Sequence, residues 1–249
     1  MVGLAMVAGC SKSSATPSAA PADAAVSAAA SAELKAIARA EDQRRAGDIG
    51  ERALTSHDVS VRRLAARALA RIADDASESG LLRALSDEDP EVVAWGAYGL
   101  GFTCKGKEDA HVMAISARAA SVDEAKIPSS QKIDLRASFA RAVGKCGGPL
   151  GEAVLTSWVR AHDAWSVGAS YGLGDIANKR GTLSDATVTA LLDAAAPNAN
   201  GPPLVNALYP FSRAPHVPEA FAQRVLETAR DGLAQPSVLR IFAVRSLAR

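Results

Sequence analysis

The chain has 249 residues, 48% of them hydrophobic, 22% charged and only 4% aromatic, with a formal net charge of +1. That near-neutral balance excludes the strongly basic surface a nucleic-acid binder needs. No apolar run reaches the ~20 residues that span a bilayer. Alanine, about a fifth of the sequence, favours helices and lets them approach closely, so the chain is expected to be all-α.

In chain order, Met1 to Cys10 is apolar and ends in small residues before a cysteine. Val7-Ala8-Gly9-Cys10 resembles the lipobox of bacterial lipoprotein signal peptides, although no basic residue precedes it. The resemblance implies cleavage before Cys10, lipidation of that cysteine and a peripheral anchor in the cell envelope. Ser11, rather than Asp, beside the cysteine resembles the outer-membrane sorting pattern, implying a periplasm-facing address. The Ser/Ala/Thr/Pro-rich stretch Ser11–Ser31 has no helical apolar stripe and is expected to be a disordered tether. Residues 32–249 are then the folded part. Glu33–Arg45 reads as a helix that, with Ile49 and Leu54, caps it.

From Asp58 onward the sequence repeats. Val61, Leu64, Ala65, Ala68, Leu69 and Ile72 recur at helical spacing after Asp58. The same frame returns at Asp89–Gly101, Leu135–Gly144, Trp165–Gly174, Leu208–Ser212 and Leu239–Ala248. Leu69, Leu100, Val143, Leu173, Phe211 and Leu247 are equivalent in it. Between the copies lie second helices carrying Leu81, Leu82 and Leu85; Val112, Ile115 and Ala119; Val154, Leu155 and Trp158; Val188, Leu191 and Leu192; and Phe221, Val225 and Leu226. Asp58 and Asp89 suit N-caps, and Pro90 suits the first helical position. Gly147, Gly148 and Gly181 belong in breaks.

The pattern Asp-x-x-Val-Arg-x-x-Ala-Ala-x-Ala-Leu at Asp58–Leu69 resembles the first helix of bacterial HEAT-like repeats. The resemblance is good over 57–105, fair to about 180 and poor over 181–234. It implies an α-solenoid of about six helix-turn-helix repeats, an armadillo-type superhelix that serves as a protein-binding surface. Contacts in such a stack run only between neighbouring repeats; a globular bundle would instead converge on one nucleus. Counting each repeat as a signature helix followed by a partner leaves the last copy at Arg249 without its partner. On that reading the chain continues or another chain covers Leu239, Phe242 and Leu247. The stretch from Glu41-Asp42-Gln43-Arg44-Arg45 through Asp74 is also similar to repeat segments found with cyclophilin-type peptidyl-prolyl isomerases. This implies an alternative, the repeat arm of a longer isomerase whose barrel would lie beyond Arg249. Repeat proteins related to phycobilin lyases share the helical signature, without a chromophore pocket legible here.

Arg67, Tyr98, Arg141, Tyr171, Tyr209 and Arg245 occupy one register position in the six copies. They form either an outer packing face, with cation–π contacts between successive helices, or a partner-binding ladder. Cys104 and Cys146 follow the signature helices of adjacent copies and pair as a disulfide if their Cα atoms come within about 7 Å; otherwise they are buried free thiols. His57, His111, His162 and His216 fall at repeat boundaries without metal spacing and read as solvated turn residues. Tyr171–Gly174 sits within a repeat helix, where its glycines suit tight packing rather than a nucleotide loop. Asp87, Glu88 and Asp89 suit a helix N-terminus. The sequence offers no catalytic constellation, cofactor motif or small-molecule pocket. The function expected from it is a membrane-tethered, non-enzymatic scaffold for a protein or peptide partner.

Overall fold

The computed structural model describes residues 21–122, 133–196 and 204–233, together with Arg245. The described residues are helical throughout, without strands. In chain order they form α1 (Pro21–Asp42), α2 (Glu51–Leu54), α3 (Val59–Ile72), α4 (Glu78–Leu85), α5 (Pro90–Phe102), α6 (Glu108–Ser121), α7 (Leu135–Cys146), α8 (Gly148–Arg160), α9 (Ser166–Arg180), α10 (Asp185–Ala195), α11 (Leu208–Arg213) and α12 (Glu219–Gly232), with short 3₁₀ turns between some of them. Cys10 and the expected signal segment lie outside the described residues.

One boundary moves. Helix α1, described over Pro21–Asp42, takes in the later part of the stretch read as tether. Its alanines supply helix propensity without needing an apolar stripe. The rest of that stretch lies outside the described residues. At its other end α1 stops at Asp42, because Arg44 turns to φ 53°. The Arg44 guanidinium then donates to the carbonyl of Ile72 at 2.8 Å, satisfying an open carbonyl at the end of α3. With Ile37, Ala40, Ile49 and Leu54 buried against α3, this end caps the stack as its sequence suggests.

Side-chain caps fix where α3, α5, α7 and α10 start. The Asp58 carboxylate accepts from Ser60 N–H, Asp89 from Glu91 and Val92 N–H, Asp134 from Ala137 N–H, and the Ser184 hydroxyl from Thr187 N–H. Gly147 (φ 75°) and Gly181 (φ 86°) end α7 and α9 in conformations that a Cβ would strain.

The helices stack in two layers, α1, α3, α5, α7, α9 and α11 in one and the even-numbered helices in the other. Every substantial interhelical contact joins neighbours along the stack, and none converges on a common centre. This is solenoid packing, not bundle packing. Leu69, Leu100, Val143, Leu173 and Phe211, the residues equivalent by register, are all 2% exposed or less and form a continuous spine. Burying each such side chain contributes ~2 kcal/mol. Leu82, placed on a core stripe by spacing, is instead 38% exposed. The last copy, 239–248, lies outside the described residues apart from Arg245, which is exposed.

The hairpin phase corrects another expectation. Helix α5 packs far more on α4 than α3 does, and α7 and α9 likewise lean on α6 and α8 before them. Each signature helix is therefore the second member of its hairpin. What covers Leu239, Phe242 and Leu247 concerns residues outside the described ones.

The odd-numbered layer is also the tighter one. A Cβ on Gly172 of α9 would lie 2.3 Å from the Ala140 carbonyl oxygen of α7, and one on Gly144 of α7 would lie 2.3 Å from the Gly172 oxygen. On Gly101 of α5 it would lie 3.0 Å from the Ala142 Cα. These helices meet backbone to backbone, whereas the even-numbered helices touch far less extensively. Unequal spacing makes a stack curve toward its closer layer, so the odd-numbered helices form the inner face.

Candidate functional site

The most distinctive surface lies where α5, α7 and α9 end side by side. Trp95, Tyr98 and Phe102 follow one another on α5 at spacings of three and four, which places them on one helix face. Trp95 meets Tyr98 edge-on at 5.8 Å between ring centroids, and Tyr98 meets Phe102 at 4.8 Å. Tyr98 is 43% and Phe102 50% exposed. From α7, Lys145 reaches over the Phe102 ring with its Nζ 4.6 Å from the centroid. Beside this strip a groove of about 600 Å³ is lined by Gly101, Phe102, Cys104, Lys105, Glu108, Gly144, Lys145, Asp175, Asn178 and Lys179.

The charges around the groove are unevenly engaged. Asp175 is forked by Arg141, at 2.6 Å from Nε and 3.1 Å from Nη2. Glu108 accepts from its own N–H and from that of Gly106, which holds its carboxyl below the usual range. Lys179 donates to the Cys146 carbonyl at 3.3 Å. Lys105 is exposed at the rim. The groove thus presents lysines and an aromatic edge, with its acidic groups turned to internal partners.

Behind the groove Cys104 and Cys146 stand as a disulfide pair with Cα atoms 5.2 Å apart, linking the ends of α5 and α7. Both are buried, at 4% and 1% exposure. His111 lies against them. Expected to be a solvated turn residue, it is 1% exposed, because it occupies the first turn of α6 on the side facing α5. Its Nδ1 is 3.1 Å from the Leu100 carbonyl oxygen and its Nε2 is 2.9 Å from Glu78 Oε1. Lys107 binds the other Glu78 oxygen. These two partners, Lys107 first, hold the Glu78 carboxyl below its ordinary range. Of the other histidines, His57 and His216 are exposed and His162 is half-buried at φ 52°. Sequence spacing hides the cluster, since its members come from three helix ends. A histidine four positions after the helix N-cap Lys107 was the available signal.

The ladder residues separate into different contacts. Arg67 pairs with Glu41 at 3.2 Å, and Arg141 with Asp175. Tyr98 joins the aromatic strip on its own helix. Tyr171 and Tyr209 meet edge-on at 4.9 Å, the contact between successive ladder members among the described residues. The arginines are held by carboxylates: Glu41, which also receives Arg71 at 2.6 Å, and Asp175. A carboxylate partner binds a guanidinium more strongly than an exposed ring face does.

The acidic turn is a joint between repeats as well as a cap. Arg62 forks Asp87 at 3.0 and 3.3 Å, Arg63 forks Asp89 at 3.0 and 2.7 Å, and Arg118 donates to the Asp87 carbonyl at 2.7 Å. At Asp89 burial favours the neutral acid, but the Arg63 bond and the N–H groups of Val92 and Glu91 outweigh it and lower the pKa.

Residues 48–129 match the family of HEAT repeats. An archaeal HEAT-like repeats protein from Thermococcus onnurineus NA1 is similar in structure at 18% identity and a TM-score of 0.53, over 87% of this chain and 91% of that one. An engineered protein matches at 19% identity and a TM-score of 0.42, over 79% of this chain and 93% of that one. No curated protein matches. With neighbour-only stacking and five described copies of one frame, the match over residues 48–129 and the likeness to the archaeal protein show the fold to be an α-solenoid of HEAT-like repeats.

Proposed function

We propose that this chain is a non-enzymatic scaffold that holds a partner polypeptide on its inner face, at the groove between the ends of α5, α7 and α9. The observation that supports this most is the exposed Tyr98–Phe102 edge: neither ring is needed for the core, yet Lys145 is laid over one of them. Aromatic and cationic groups beside an open groove are the ordinary anchors of a protein interface. The lysines at the rim, facing acids already engaged internally, select a partner segment that carries both carboxylates and an apolar side chain.

A photo-crosslinking residue at Phe102, with the same residue at Met113 as control, tests this in the native host. Met113 is 59% exposed on α6, in the other layer. A discrete adduct from position 102, lost on Lys145→Glu, is the expected result. The same adducts from both positions would overturn it.

The envelope address is proposed from the sequence: Val7-Ala8-Gly9-Cys10 supports lipidation of Cys10 and a periplasm-facing anchor. Among the described residues no helix is long and apolar enough to cross a membrane, so attachment would rest on the lipid. Cys10→Ser should move the protein from the membrane to the soluble fraction. An unchanged distribution counts against the anchor.

A further inference from the structure

The cluster behind the groove contains more than a disulfide needs. The Sγ atoms of Cys104 and Cys146 and a ring nitrogen of His111 lie within 4.8 Å of one another, all three residues buried. A disulfide uses only the sulfurs. His111, at 1% exposure, is held there by Glu78 on its Nε2. Its Nδ1 lies 3.1 Å from the Leu100 carbonyl oxygen, so the ring is held at both nitrogens beside the sulfurs. A carboxylate behind a histidine, fixing the orientation of its ring, is the arrangement of metal-binding imidazoles.

We propose that Cys104, Cys146 and His111 bind a borderline divalent cation of the zinc class when the cysteines are in the dithiol form. Zinc–sulfur and zinc–nitrogen bonds of about 2.3 and 2.0 Å place the ligand atoms of a shared ion roughly 3.5–3.8 Å apart. Ligand atoms already within 4.8 Å need only side-chain adjustment to reach that spacing. Two thiolates and a neutral imidazole around a dication give a site without net charge, which suits its burial. Binding converts two thiols and the dication into a metal dithiolate, and both protons leave to solvent. The disulfide has no thiolate to offer, so the two states exclude each other. Entering the dithiol state takes two electrons, supplied in the test by a water-soluble phosphine that is oxidised to its oxide as the S–S bond becomes two S–H groups. The ion would tie the ends of α5 and α7 beside the groove, as the disulfide does. The proposal stands whether or not a partner occupies that groove.

The probe is Co²⁺, whose thiolate complexes absorb in the near ultraviolet. The full chain carrying Cys10→Ser, so that no other thiol competes, is titrated in its reduced and oxidised forms. The reduced form should take up one equivalent with a sulfur-to-cobalt charge-transfer band that Zn²⁺ abolishes, and the oxidised form should show none. Glu78→Gln should weaken binding about 10–100-fold, and His111→Gln should change the visible cobalt bands. A reduced chain that is folded by circular dichroism and gives no charge-transfer band would overturn the site. Spectra unchanged by His111→Gln would overturn its three-ligand form. Should that variant fail to fold, X-ray absorption of the zinc-loaded chain decides: two sulfurs with an imidazole nitrogen uphold the site, and sulfur-only coordination refutes it.

Discussion

The joint between α3 and α5 and the joint between α7 and α9 follow one repeat plan but are held by different means. At the first, Arg62 and Arg63 fork carboxylates in the next turn, and Gly99 of α5 faces the side chain of Leu81 and the Cα of Ala70. At the second, the equivalent Gly172 of α9 faces the Ala140 carbonyl, and the buried carboxylate of Glu152 ties α8 to the start of α10 through the Ser184 N–H at 2.7 Å and to the end of α9 through the Arg180 guanidinium. A register can thus be kept by ion pairs between side chains, which are adjustable, or by backbone contact, which is not. The difference should appear when each joint is disturbed in the same way.

The largest effect belongs to the glycines. Gly172→Ala forces backbone apart and should destabilise by about 3 kcal/mol in urea unfolding, whereas Gly99→Ala displaces the flexible end of Leu81 and should change stability by about 1 kcal/mol or less, helped by alanine's helix propensity. Equal effects would erase the distinction between the joints. Next comes Glu152→Ala, which strips partners from the Ser184 N–H and from Arg180. Because Arg180 is partly exposed and can rehydrate, the expected loss is about 2 kcal/mol in the same measurement.

The pH profile sharpens the same point. Burial raises the Glu152 carboxyl's pKa, but the Ser184 N–H, the Thr187 and Ser184 hydroxyls and Arg180 outweigh it and leave it below its ordinary value, in the same direction as Asp89. A carboxyl depressed in the folded state contributes stability that is present above its unfolded pKa, about 4, and is lost as pH falls through the folded value. The Tm should therefore hold from pH 7 to about 5 and drop below 4, and Glu152→Gln should shrink the drop. Smallest is the charge staple. Arg62→Ala should lose about 1 kcal/mol, since Arg62 is only 11% exposed. Arg45→Ala, in an exposed pair with Asp48, should leave the midpoint unmoved.

The caps at the first joint were legible in the sequence; its Arg62 and Arg63 pairs, whose partners lie 25 and 26 residues away, and the second joint were not, for physical reasons. Asp58, Asp89 and Pro90 act within a few residues of where they stand, so their spacing announces the caps. The apolar positions of α3 to α12 report helix faces through the same local geometry. Gly172, Glu152 and His111 depend on partners about thirty residues away on other helices, which spacing within one helix does not encode. The hairpin phase was missed likewise, because a frame that repeats looks the same whichever helix is counted first. The exposed edge of Tyr98 and Phe102 was half visible: register singled out Tyr98, but only the packing of α7 shows Lys145 lying across its neighbour.

The contact of Gly144 with Gly172 also sets the direction in which the molecule can yield. Carbonyl against Cα leaves nothing to compress, while the opposite layer is joined more sparsely. Such a spring resists curling tighter and gives way by straightening, so a bulky cargo would be accommodated by unbending the arch and would feel an elastic grip in return.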